Sequence, residues 1–155
     1  MRNILLIIAG ALAISGCKKD KFTTAPQITF KTISPQSMPS NLVSTFQASA
    51  PKLVINITDQ EGDLGFINGK DTSMVFIKNL RSNKLDSMVL PDIQSAATKR
   101  FQADISINLY NYMGPCGPGP LPRADSIYFE VYVKDFAKNQ SNVLRTDIPA
   151  LLLCQ

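Results

Sequence analysis

The chain has 155 residues, with 16 Lys and Arg against 12 Asp and Glu, a formal charge of +4 and no histidine. The lack of histidine removes Ser-His-Asp and Cys-His catalysis, histidine metal sites and the usual general base near neutral pH. No GxGxxG, P-loop or CxxC motif occurs, and the basic residues are scattered, which argues against nucleic-acid binding and against an enzyme.

In chain order, Met1, Arg2 and Asn3 precede an apolar run from Ile4 to Ile14, followed by Ser15, Gly16 and Cys17. As a helix the run spans about 16 Å, while a bilayer core needs about 20 residues. It therefore reads as a secretory signal and not a membrane span. The stretch Ile14-Ser15-Gly16-Cys17 resembles the lipobox of bacterial lipoproteins: an aliphatic residue, two small residues and a cysteine. The resemblance implies cleavage after residue 16, with covalent lipid (diacylglyceryl and an N-terminal acyl chain such as palmitate) on Cys17. It further implies outer-membrane sorting, because Lys18 stands where an inner-membrane lipoprotein of that sorting pattern carries Asp. Residues 17–26 would form a short flexible tether, and residues 27–155 a single domain.

Those remaining residues read as β structure throughout. Strands are expected at Ile28–Ile33, Leu53–Thr58, Met74–Ile77, Leu85–Leu90, Phe101–Leu109, Ser126–Lys134 and Val143–Leu153. In Phe101–Leu109 and Ser126–Lys134 apolar and polar residues alternate, so one face is buried and the other wet. Pro149 cannot donate to a ladder and marks an edge or a bulge in the last strand. Turns fall at Asn68-Gly69, at Arg81-Ser82-Asn83-Lys84 and at Lys138-Asn139-Gln140-Ser141. Asp92–Lys99 has room for one short helical turn. About seven strands at this spacing make an all-β, two-sheet sandwich, with a small closed barrel as the alternative.

The stretch from Tyr112 to Pro122 holds four prolines and three glycines and excludes regular structure. It reads as a connecting loop; the functional alternative is a recognition loop with Tyr110 and Tyr112 as contact aromatics. With Cys17 lipidated, Cys116 and Cys154 remain as a pair in an oxidising compartment, and a disulfide between them is expected. Tyr128 and Tyr132 share the outward face of one strand and are candidates for binding a sugar or a protein.

The turn Asp59-Gln60-Glu61-Gly62-Asp63 and the segment from Val133 to Asn142 resemble immunoglobulin-like and cadherin-like modules of bacteria. That resemblance implies an immunoglobulin-like sandwich in which the loops holding Asp59, Glu61, Asp63 and Asp135 share one pole. Ca²⁺ takes oxygen ligands from such clusters, although the spacing is not that of an EF-hand. Two readings stay open for this loop: a Ca²⁺ site, and a solvated turn whose Asp side chains cap backbone amides.

Together these features describe an envelope lipoprotein that works as a non-catalytic binding or structural module, held to the membrane by its lipid and stiffened at one pole by Ca²⁺ if the site is filled. Its partner would be an envelope protein or a glycan, with no nucleic acid. The alternative is a carbohydrate-binding accessory lipoprotein that uses the tyrosines and the Pro-rich loop.

Overall fold

The computed structural model describes residues 21–41, 44–66, 72–90 and 99–155. The expected signal segment, Cys17, the expected Asn68-Gly69 turn and most of Asp92–Lys99 lie outside them. Strand β3 (Lys52–Asp59) shows how the alternating pattern becomes a layer. Leu53, Ile55 and Ile57 point inward with no exposure, and the strand is paired on both sides. Its antiparallel neighbours are β1 (Gln27–Ser34) and β6 (Phe101–Asn108), giving a three-stranded sheet in the order β1-β3-β6. Ile105 and Ile107 of β6 and Ile28 and Ile33 of β1 complete its inner face.

The facing sheet has the order β5-β4-β8-β9, built from β4 (Met74–Asn79), β5 (Leu85–Val89), β8 (Phe129–Lys134) and β9 (Leu144–Arg145). Val75, Ile77, Phe129, Val131 and Val133 point inward and join the first sheet in one contiguous core. Each such side chain, fully buried, stabilises by about 1.5–3 kcal/mol. The outward face of β4, which carries Met74 and Phe76, is half-buried and not fully covered, although β4 is central in its pairing.

A third sheet joins β2 (Ser37–Pro39), β10 (Ala150–Cys154) and β7 (Arg123–Ile127) in the order β2-β10-β7. It prolongs the second sheet, because β7 runs into β8 at Tyr128 and β9 runs into β10 across residues 146–149. Pro149 sits in that second interruption, as expected of a residue that cannot donate to a ladder. The first pass also breaks: β1 pairs antiparallel with β3, and after Pro35 the chain pairs through β2 in parallel with β10. Two of the seven expected strands, Ser126–Lys134 and Val143–Leu153, are thus each divided in two, and β2 lies beyond the expected Ile28–Ile33, which gives ten strands among the described residues. The result is an all-β sandwich of separate open sheets and not a closed barrel.

Two connections close the ends. Asn142 uses its side-chain amide as a strand would, accepting from the Ile28 N–H at 2.8 Å and donating to the Ile28 carbonyl at 2.9 Å. The Pro-rich loop is held by its flanks. Arg81 donates to Asp125 at 2.6 Å and to the Met113 carbonyl at 3.0 Å. Arg123 donates to Asp125 at 2.9 Å and to the Gly117 and Gly119 carbonyls. The Gly117 N–H also donates to Asp125 at 2.6 Å. That bond, followed by those from Arg123, holds the Asp125 carboxyl below its ordinary pKa.

Cys116 and Cys154 form a disulfide that fastens this loop to the last strand across a separation of 38 residues. Closing a loop of that length removes chain entropy from the unfolded state, worth about 3–4 kcal/mol. The double variant Cys116→Ser, Cys154→Ser is therefore expected to lose stability of that order in denaturant unfolding. An unchanged midpoint would show that the loop is held by its arginines alone.

Candidate metal centre

Strand β3 delivers Asp59 to one end of the sandwich, and the end of β8 delivers Asp135 to the same place. Both are fully buried. Asp63, in the loop after β3, completes a trio whose carboxylate oxygens all lie within 4.8 Å of one another. Oxygens bound to one Ca²⁺ at 2.3–2.6 Å are at most about 5 Å apart, so the trio is close enough to share an ion.

The local sequence explains the convergence. Gly62, at φ 71°, turns the chain back so that its N–H donates to Asp59 Oδ2 at 2.6 Å. The Asp63 carbonyl accepts from the Phe136 N–H at 3.1 Å, which ties the two acidic loops together. Asn139 fixes Asp135 twice, through its backbone N–H at 2.8 Å and its amide at 2.9 Å. Buried Ser73 supports the loop from below, accepting from the Gly65 N–H at 3.3 Å.

The electrostatics are unfavourable without a counter-charge. Asp59 Oδ1 and Asp63 Oδ1 are buried and accept no hydrogen bond. Among the described residues no ion pair reaches the trio. Buried charge without a partner is costly, and a group so placed either holds its proton or finds a cation. Burial pushes the Asp59 carboxyl up from 3.8 to about 6, with Asp63 and Glu61 adding repulsion and the Gly62 N–H opposing it. Asp135 is raised as well, mainly by burial, with the Asn139 bonds pulling it back.

Of the four acidic residues expected at this pole, three meet. Glu61 stays exposed, where it accepts from the Thr24 hydroxyl at 3.2 Å, because Gln60 and Glu61 form the outer bend of the loop. Ser73 and Asn139 are supports that the local pattern does not announce, whereas Gly62 and the capping of a backbone amide by Asp59 were legible in the turn.

The four candidate tyrosines are all partly exposed. Tyr110 and Tyr112 form a short 3₁₀ turn and pack against the core. Tyr132 stacks on Phe76 with ring centroids 4.6 Å apart and planes 8° from parallel, so each ring covers one face of the other. The Arg145 guanidinium lies 5.2 Å from the Tyr128 centroid.

The expected free stalk is also corrected for its described part. The Thr58 hydroxyl donates to the Lys21 carbonyl at 2.9 Å, and the Gln60 N–H donates to the Thr23 carbonyl at 3.2 Å. Residues 21–26 are therefore docked at the acidic pole, and Thr58 is buried beneath them.

No family model matches the chain, and no curated protein or solved structure matches it. Among the described residues no helix is long and apolar enough to cross a membrane.

The raised Asp59 has a pH signature. The folded state binds this proton more tightly than the unfolded chain does, so its contribution to stability is complete below pH 3.8 and is lost as pH rises through about 6. In chelator, Asp59→Asn should remove that loss and gain stability relative to the parent as pH rises across this window. Thermal unfolding at a series of pH values measures the difference, and parallel curves for parent and variant would refute the assignment.

Proposed function

We propose that this protein is a non-catalytic, lipid-anchored module of the cell envelope, whose β-sandwich binds Ca²⁺ at its acidic pole and presents the Pro-rich loop at the other end. The observation that carries the reading is the trio of buried Asp59 and Asp135 with half-buried Asp63, in which two buried carboxylate oxygens accept no hydrogen bond. The Asp59 and Asp135 oxygens that already accept N–H bonds keep a lone pair each, so the trio can offer several of the 6–8 oxygens that Ca²⁺ takes. Water and loop carbonyls would supply the rest. The ion would neutralise the carboxylates and hold two loops of different strands together.

The two ends of the sandwich support the division of labour. Residue 21 enters at the Asp59 end of β3, so a lipid on Cys17 would hold that end near the membrane. The loop pinned by Arg81, Arg123 and the disulfide follows β6 and precedes β7, at the opposite end. A loop ordered in advance binds at lower entropic cost. The parallel pairing of the first pass with the last, beside its antiparallel pairing with β3, supports kinship with immunoglobulin-like modules.

Calcium titration of the whole protein, followed by thermal unfolding with Ca²⁺ and with chelator, tests the centre. At 100 times its Kd the ion should stabilise the fold by about 2.7 kcal/mol, a shift of several degrees. Asp63→Asn is expected to abolish the shift. No shift at millimolar Ca²⁺ would return the loop to a solvated turn. The anchor is tested separately by Cys17→Ser, which should move the protein out of the membrane fraction.

A further inference from the structure

Beside the acidic centre lies a second feature of opposite charge. Residues 21–23, Gln60 and Arg100 are stitched side by side: the Gln60 N–H donates to the Thr23 carbonyl, and the Arg100 N–H donates to the Gln60 carbonyl at 2.8 Å. This second bond holds Arg100 in the left-handed region at φ 62°, which few non-glycine residues adopt. Phe22 lies between two cations, with Lys21 Nζ 5.7 Å and the Arg100 guanidinium carbon 5.2 Å from its ring centroid. Phe22, Gln60, Lys99 and Arg100 line a cleft of about 350 Å³. Lys21, Lys99 and Arg100 are all exposed, against one adverse exposed charge on Glu61. Lys21 spends one of its three ammonium protons on Gln102 Oε1, at 2.7 Å.

We infer that this cleft seats the phosphate of an anionic lipid headgroup and so fixes the angle at which the domain stands on its membrane. The inference rests on the lipid anchor proposed above. Four residues extended span at most about 14 Å, so whatever path residues 17–21 take, Lys21 stays within that distance of Cys17. At such a distance the basic rim lies in the field of an anionic leaflet, where each Lys or Arg strengthens attachment about fivefold. The guanidinium and ammonium groups donate to phosphate oxygens, and the half-buried aromatic ring lies where headgroup and acyl chain meet. The short tether is the reason to name a lipid headgroup and not a free phosphate.

The test uses the lipidated protein in vesicles of neutral phosphatidylcholine, or of phosphatidylcholine mixed with phosphatidylglycerol. Lysine acylation, read residue by residue by mass spectrometry, needs no substitution. Lys21 and Lys99 should be protected several-fold in the anionic vesicles only, and high salt should remove the protection. Lys52, at the opposite end of β3, should react equally in both. Phe22→Trp adds the chain's single tryptophan, whose quenching by brominated lipid should follow the same pattern and be largely lost with Arg100→Glu but retained with Lys52→Glu. Equal labelling in neutral and anionic vesicles overturns the inference and leaves the anchor standing. Equal protection by inorganic phosphate without vesicles assigns the cleft to the free ion and overturns the headgroup. A protein that does not sediment with either vesicle overturns the anchor, and the headgroup seat with it.

Discussion

The double pairing of β3 is the constraint on which the rest of the molecule depends. Every residue from Lys52 to Asp59 has a partner on β6, and nearly every one has a partner on β1. A strand held on both sides cannot slip by one residue without turning Leu53, Ile55 and Ile57 out of the core. The same register that buries those three carries Asp59, two positions after Ile57, onto the inner face. A carboxylate is thereby forced into the sandwich by the hydrophobic pattern that precedes it.

The consequences of that placement run outward in layers. Asp59 cannot lie there alone, and the surrounding chain supplies the Gly62 N–H and the turn that brings Asp63 alongside. The neighbouring sheet supplies Asp135, already gripped by Asn139. These bonds orient the carboxylates without neutralising them, and Oδ1 of Asp59 and of Asp63 stays unmet. Residues 21–24 then cover the outside of the same pole, where the Lys21 and Thr23 carbonyls meet Thr58 and Gln60.

The opposite end is ordered by different means. There the Pro-rich loop has no ladder to join, so its backbone carbonyls are met by the guanidinium groups of Arg81 and Arg123, which Asp125 holds in place. The disulfide adds a covalent limit. A polar clasp of this kind gives an irregular segment one conformation without a hydrophobic core of its own.

Much of this was legible in the chain. Alternation in Phe101–Leu109 and Ser126–Lys134 marked the strands and their inner faces, and the count of cysteines after Cys17 pointed to the pair that forms. Three acidic residues of the candidate site were visible because they cluster in loops next to strand ends. Local pattern could not show that Glu61 turns outward while Asp63 turns in, since that depends on where Gly62 reverses the chain. Nor could it show that Lys21–Pro26 folds back over Thr58, or that Tyr132 is occupied by Phe76, because those contacts join residues far apart in sequence. Period and residue type, which are local properties, determined the strands and their buried faces. Charge balance inside the sandwich was decided only by the tertiary structure, because burial and the distance between carboxylates exist only once the sheets have packed.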